Sequence, residues 1–532
     1  MSLWTGCGGE PGEFASLVAV ERVLSESVPS WPSRAAWLLS PLWACSPEPA
    51  PASPIGSAAE ISALVAEVAH AAPVWVGTTG TVTAALPETW PEPLRWIAAG
   101  GGGSPEFNQV SIEQDLALAR ERLGPGGLLL FAGGRGSHGV QVRTEATKDP
   151  LMRALAELFA PRGGRDASYR PTTLSVDAAA TAENLRAAVV RATATDGPPL
   201  LVYLAGHGQP GEQLADASIE LWGQVPLRAR ELAGLPGPRP LRIVITSCFS
   251  GGFAELAFVD ADPARGSAAR RCGLFATTAD REASGCDPNP DRAAQEGYGL
   301  HFLNALGGRD RAGQAAAIDL DGDGRVSLSE AHARARIASA GIDVPTTTSE
   351  RWLRSLKVRR GTAGSITLPE EDAVIEALSR ELGLPGGPQA EAALAEVEAA
   401  TAVVIDRLAR QGDVEDAAYR RTAAELLARW PVLDDPWHPE FAVMVASEGT
   451  AISAALASSK PYGEFLAAGD ELARTRDEHA ELLARSAKLE RLVRALETRR
   501  LAGALAGRGG ADWRTYEALL ACERWVPGDA GS

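Results

Sequence analysis

The chain has 532 residues, a formal net charge of −17, 45% hydrophobic and 22% charged residues. That balance is globular, and the length is too great for one ordinary core, so two to three domains are expected. The negative charge argues against nucleic acid or an anionic membrane as the main partner, and no basic stripe interleaved with aromatics relieves it.

Residues 1–96 read as a small α/β region, a sensor or a prodomain. Ala35 to Leu39 and Val74 to Val76 have strand character, Ala58 to Ala72 reads as an amphipathic helix, and a Pro-rich connector, Pro47 to Pro54, separates them. The segment Met1 to Phe14 lacks a basic region followed by an apolar core, and no apolar run reaches the roughly 18 residues of a membrane span. The six cysteines show no CxxC spacing. They suggest neither a disulfide framework nor a zinc site, and the expectation is a soluble protein of a reducing cytoplasm.

Gly100 to Pro105 is a candidate hinge into a region spanning 97–360. Ser111 to Leu123 is predicted helical with Ser111 as its cap, and Leu128 to Ala132 is an apolar strand. Residues 134–139 match GxGxxG, but Val140 to Thr144 is not helix-like and no ribose-binding acid follows at the needed spacing. The match is therefore read as a tight turn, with His138 structural. Asp149 to Phe159, a strand at Leu174 to Val176, and a helix capped by Thr181 complete an alternating pattern, which predicts a mostly parallel sheet covered by helices.

Two apolar runs then end in reactive residues. Leu200 to Ala205 leads into Gly206-His207-Gly208, and Leu241 to Thr246 into Ser247-Cys248-Phe249-Ser250-Gly251-Gly252. Open α/β sheets carry their chemistry beyond the carboxyl ends of the strands. If the two strands are neighbours, an imidazole meets a thiol, and such a pair can make a nucleophile. The amides of Gly208 and Cys248 are candidates to bind an oxyanion. Each residue alone has a bland reading, a buried small hydrophobe or a loop histidine; their joint placement favours the dyad.

At these positions the sequence resembles the caspase, metacaspase and legumain superfamily of cysteine proteases, in which a strand-His-Gly is followed by a strand-Cys-x-Ser-Gly. The resemblance implies a caspase-like sandwich with His207 as general base and Cys248 as nucleophile. Thr277 to Ser284 is similar to the segment that helps build the primary specificity pocket, with Asp280, Glu282, Ser284 and Asp287 as candidate substrate contacts. Asp280, Glu282, Asp287 and Asp291 outnumber Arg281 and Arg292 there. An acidic pocket selects Arg, with Lys second; a pocket lined by Arg281 would select Asp or Glu instead. Loops around Arg162, Arg165 and Arg170, and around Arg265, Arg270 and Arg271, then become candidate processing sites. Cys272 and Cys286 read as packing residues.

Asp319 to Glu330 fits a calcium-binding EF-hand loop. Asp319, Asp321 and Asp323 take positions 1, 3 and 5, the Arg325 carbonyl takes 7, Ser327 takes 9 and Glu330 takes 12. From Gly361 onward, Ala, Leu, Glu and Arg recur at helical spacing, predicting a helical region for regulation or partner binding. Helices are expected at Glu370 to Leu382, Pro388 to Gln411, Asp413 to Trp430 and Glu464 to Leu505.

The expected function is a cysteine endopeptidase acting on protein substrates. Calcium and an upstream protease or regulator, acting through the N- or C-terminal region, are its expected controls, and bacterial stress or antiviral defence is the expected setting. A catalytically idle, calcium-responsive scaffold and a cysteine hydrolase of non-peptide amides or esters are the alternatives.

Overall fold

A computed structural model describes residues 85–529 apart from 138, 146, 161–165, 268–269 and 359–363. The expectations for residues 1–84, for His138 and for Arg162 and Arg165 lie outside the described residues. In chain order the elements are β1 (Trp96–Gly100), α1 (Val110–Leu123), β2 (Gly127–Phe131), β3 (Val140–Arg143), α2 (Pro150–Phe159), β4 (Ala167–Arg170), α3 (Ala182–Thr193) and β5 (Leu200–Ala205). Short strands β6 (Gly208–Gln209), β7 (Ser218–Ile219) and β8 (Leu227–Arg228) lead through α4 (Ala229–Ala233) to β9 (Leu241–Ile245). There follow β10 (Arg271–Phe275), α5 (Tyr298–Leu306), α6 (Leu328–Ala338), β11 (Thr346–Thr347) and α7 (Thr348–Ser355). The last helices are α8 (Pro369–Leu382), α9 (Gly387–Leu427), α10 (Phe441–Ser458), α11 (Lys460–Arg508) and α12 (Gly510–Glu523).

The protein is mixed α/β. Its six-stranded sheet has the order β11-β10-β9-β5-β1-β2, and only the β10–β11 pair is antiparallel. β5 and β9 lie at its centre and are buried along their whole length. That is why they read as unbroken aliphatic runs rather than alternating ones. Each face has its own core. Leu185, Ala188 and Val189 of α3 cover one, and Leu116 of α1, Phe302 of α5 and Ala331 of α6 cover the other.

Several expectations are corrected by packing. The glycine run after Gly100 is not a hinge: Gly100 ends β1, and a Cβ there would meet the Ala205 carbonyl oxygen at 2.4 Å. Leu174 to Val176 forms no strand, and only a single bridge joins Ala178 to Leu130. The cap of α1 falls at Gln109, while the Ser111 hydroxyl accepts from the Asp287 amide at 2.7 Å. Thr181 does cap α3, accepting from the Asn184 amide. Helix α2 does not cover the sheet; its Leu155 and Leu158 pack with Phe441, Val445 and Ile452 of α10. Helix α10 has the length and composition to cross a membrane, at a mean hydropathy of 1.4 over 18 residues, and its Phe441, Val445, Ile452 and Leu456 are buried in that same cluster.

The last helices form a long antiparallel pair. Expected breaks near Gln411 are absent: α9 is one helix of 41 residues with Gly412 buried inside it, beside the 49-residue α11. Arg407 pairs with Glu478 and Arg421 with Glu464, so the pairing runs in opposite directions. The far end of α11 docks on the sheet-bearing part. Arg491, 1% exposed, donates to the carbonyls of Arg336 at 2.9 Å and Ser339 at 3.1 Å. Cys272 of β10 and Cys522 of α12 are disulfide-bonded across 250 residues of sequence, which corrects the reading of Cys272 as a packing residue. Their separation hid the pair, because sequence rules for disulfides lean on local spacing.

The carbonyls that hold Arg491 belong to the buried residues Arg336 and Ser339, and truncating the side chain strands them. Arg491→Ala is expected to lower stability by about 3 kcal/mol in urea unfolding. Arg380→Ala, which breaks only the exposed pair with Glu376, should change it by less than about 0.5 kcal/mol.

Candidate active site

The parallel register of β5 and β9 pairs Leu204 with Ile245. His207 and Cys248 each stand three residues further on (207 − 204 and 248 − 245), so the sheet delivers both to one edge at one level. The two segments touch: a Cβ on Gly208 would lie 2.1 Å from the Cys248 carbonyl oxygen and 2.8 Å from the Ser247 hydroxyl. Only glycine lets the backbone come this close. Immediately after Cys248, Phe249 adopts a left-handed φ of 57° and donates its amide to the Arg281 carbonyl at 2.7 Å. This strained corner turns the chain into a buried 3-10 segment, Ser250–Ala257, and leaves Cys248 at the bend.

The two side chains share no hydrogen bond. His207 Nε2 meets Gln109 Oε1 at 2.9 Å, the ring also bonds the Phe107 carbonyl, and Phe107 lies edge-on to it at 5.7 Å. Both of these partners are acceptors. A neutral imidazole has one N–H and satisfies one of them, whereas an imidazolium satisfies both. Burial nevertheless lowers the His207 pKa, against the raising effect of the Phe107 carbonyl. The Cys248 sulfur accepts from the Ala283 amide at 3.3 Å. Burial pushes its thiol up to about 11, the Ala283 amide opposes this, and the charges of Glu282 and Asp343 add to it. Both shifts favour the neutral forms of the pair.

The segment after β10 is anchored from several sides. The Asp280 carboxylate accepts from the Thr278 hydroxyl at 2.6 Å, and Arg281 pairs with Glu490 of α11. Glu282 is half-buried and its pKa is raised by burial. The Ser284 amide donates to Asp343 at 2.6 Å, and the Asp287 carboxylate accepts from the Asn289 amide at 2.8 Å and from Arg143 at 3.4 Å.

Beside the ends of β5 and β9 lies a cavity of about 20 Å³, bounded among others by Ala205, Gly206, Thr246, Ser284, Cys286 and Asp115. Of the four expected substrate contacts, Ser284 alone borders it. The acidic groups there are Asp115 of α1 and Glu296. Sequence reasoning missed Asp115 because it lies 92 residues before His207 (207 − 115), and only the fold of α1 over the sheet reveals it.

The arginines proposed as processing sites are mostly engaged. Arg170 lies in β4 and pairs with Glu113 at 2.6 Å. Arg265 pairs with Asp260, and Arg270 with Asp196 at 3.0 Å. Arg271 opens β10 and donates to the Ala233 carbonyl at 2.6 Å, so a cut there requires unpairing β10 from β9.

In the acidic loop, carboxylate oxygens of Asp319, Asp321 and Asp323 lie within 4.8 Å of one another. Asp319 accepts from the amides of Gly322 at 2.7 Å and Gly324 at 2.9 Å, which closes the loop. Glu330 behaves differently from the expected bidentate ligand. It is 2% exposed, takes the amides of Leu320 and Asp321 on one oxygen, and takes the amide and hydroxyl of Ser327 on the other. Ser327-x-x-Glu330 is a capping box for α6, and this competes with metal ligation for the same carboxylate. The Arg325 side chain pairs with Asp529.

No family model matches the chain, and no curated protein is significantly similar to it.

Asp343 links this site to its surroundings. Burial pushes its carboxyl up to about 7, against the Ser284 amide and the Arg491 guanidinium. An unfolded Asp loses its proton near pH 3.9. The buried group therefore adds stability below about pH 4 that disappears as the pH rises to about 7. Asp343→Asn keeps the acceptor for the Ser284 amide. It is expected to flatten the decline in stability between about pH 4.5 and about pH 7.5 in urea unfolding; an unchanged decline would show that the carboxyl does not titrate there.

Proposed function

We propose that the chain is a cysteine endopeptidase of the caspase-like kind, with Cys248 as nucleophile and His207 as general base. One observation carries the reading: two adjacent parallel strands end in His207 and Cys248 at equal steps past their last pair, with Gly208 backed against Cys248. On this reading His207 turns from Gln109 to take the thiol proton, and the thiolate attacks the carbonyl carbon of the scissile bond. The amides of Gly208 and Cys248 hold the developing oxyanion. His207 then protonates the leaving amine, and water hydrolyses the thioester. The Phe107 carbonyl, which stays on the ring, favours the imidazolium that this sequence creates.

Cleavage after Arg, with Lys second, remains the specificity we propose, with Asp115 in the cavity as the carboxylate that selects it. The proposed partners are protein substrates and a regulator acting through the terminal regions; the Cys272–Cys522 disulfide removes the cysteine-based argument for a reducing cytoplasm. A second reading, a catalytically idle scaffold, draws on the raised Cys248 thiol and on Gln109 occupying the His207 nitrogen.

Cys248→Ala and His207→Ala are each expected to lower peptidase activity by at least about a thousandfold, since paired groups act as a unit. Both variants should keep the parent's thermal unfolding midpoint. Substantial cleavage of an arginyl peptide by Cys248→Ala would sink the assignment. Labelling of wild-type Cys248 by a peptidyl acyloxymethyl ketone separates peptidase from scaffold.

The Asp319, Asp321 and Asp323 cluster fits a calcium ion through its oxygen donors, with the Arg325 carbonyl and Ser327 completing the set and Glu330 joining only by leaving its amides. Calorimetry should detect uptake at millimolar calcium that Asp321→Asn weakens at least tenfold and Glu330→Gln weakens less. No uptake by the wild type would reduce the motif to a turn.

A further inference from the structure

The cavity beside the candidate dyad already contains a guanidinium. Arg292, on the loop between Cys286 and α5, reaches over α1 and pairs with Asp115, while its other terminal nitrogen donates to Gln295 at 2.7 Å. The Asp115 and Arg292 side chains are 18% and 28% exposed, and both line the cavity. The space left is about 20 Å³, room for one water and for no side chain.

The lining is polar beyond what Arg292 uses, with Ser111, Ser284 and Glu296 on it. Beside this lining lies the hydroxyl of Tyr203, a residue 1% exposed, with Thr246 as its hydrogen-bonding neighbour. A Cβ on Gly299 would stand 2.6 Å from that hydroxyl and 2.7 Å from the second Asp115 oxygen, which places both at one spot. Thr246, two residues before Cys248, completes the lining. A carboxylate sheltered from water is stabilised by donors that carry positive charge. A planar guanidinium, with five donors and a positive charge, matches this set.

Resting on the peptidase reading, we infer that this cavity receives the arginine side chain on the amino side of the cut, and that Arg292 is the chain's own occupant, holding the site self-filled. Substrate arginine and Arg292 compete for Asp115. Opening requires only that Arg292 swing out, because its loop is secured independently: Gln114 donates to the Pro290 carbonyl at 2.9 Å, and Gln295 donates to Gln114 at 2.6 Å.

Binding of agmatine, an arginine side chain without its carboxylate, tests this on the full chain carrying Cys248→Ala, so that self-cleavage is removed. Calorimetry should show agmatine binding at least tenfold tighter once Arg292→Ala is added, and a return to the parent's weak binding once Asp115→Asn is added as well. Putrescine, which lacks the guanidinium, should gain much less. Arg292→Gln, which removes the charge but keeps a partner for Gln295, serves if the alanine variant unfolds, and the same gain is expected. Equal agmatine affinity with and without Arg292, or binding that survives Asp115→Asn, would overturn the inference. Because the readout is binding, the gain would uphold the cavity assignment even in a chain that cleaves no peptide. In the chain with Cys248 intact, Arg292→Ala should raise kcat/KM for arginyl over norleucyl peptides at least fivefold; no change in that ratio also counts against it.

Discussion

The pairing of β5 with β9 is the constraint from which the rest of the site follows. A parallel ladder advances about 3.3 Å per residue, so a slip of one position would carry His207 past Cys248 and drive Gly208 into the wrong carbonyl. The contact of Gly208 with the Cys248 backbone holds that register at the sheet edge. Phe249 then spends strain to turn the chain sharply, and the buried segment Ser250–Ala257 keeps the corner closed. These contacts are made by backbone and by Gly208, not by the side chains of His207 or Cys248.

The surroundings of Cys248 are assembled from segments far apart in the chain. The Ala283 amide meets the sulfur, the neighbouring Ser284 amide is held by Asp343, and Asp343 lies within the field of Arg491 on α11. Arg281, two residues before Ala283, pairs with Glu490, the residue before Arg491. Further along α11, Arg494 joins Arg354 around Glu350, whose buried carboxyl they hold far below its usual range despite desolvation. Helix α12 adds the Cys272–Cys522 link to β10, the strand next to the one that leads to Cys248. The C-terminal helices thus brace the loop that touches the sulfur, so a change in how they dock reaches the thiol through two or three contacts.

Electrostatically the site is arranged but uncharged. Burial raises the thiol and depresses the imidazole, Gln109 stands on the ring nitrogen, and Asp115 is neutralised by Arg292. These features all oppose the ionised, open form that thiol chemistry needs.

The sequence by itself determined the local elements and the placement of His207 and Cys248 past two neighbouring strands. Leu200 to Ala205 and Leu241 to Ile245 are aliphatic enough to be central strands, and the glycines around His207 and after Cys248 mark where backbone must bend or approach closely. Thr181 as a cap and the gathering of Asp319, Asp321 and Asp323 were likewise legible, because capping and loop chemistry act over three to five residues. Other features were decided only in three dimensions. β1 went unread because Trp-Ile-Ala-Ala-Gly is too short and too small to signal a strand until neighbours on both sides supply its hydrogen bonds. Glu330 had two local roles open to it, and the loop amides chose the cap. Asp115, Arg292, Asp343, Arg491 and the partner of Cys272 belong to the site only because the sheet and the last helices bring them there. Periodicity and spacing report what a residue does to its own turn of chain. Which charge faces which across a buried gap depends on how whole elements pack, and no local pattern encodes that.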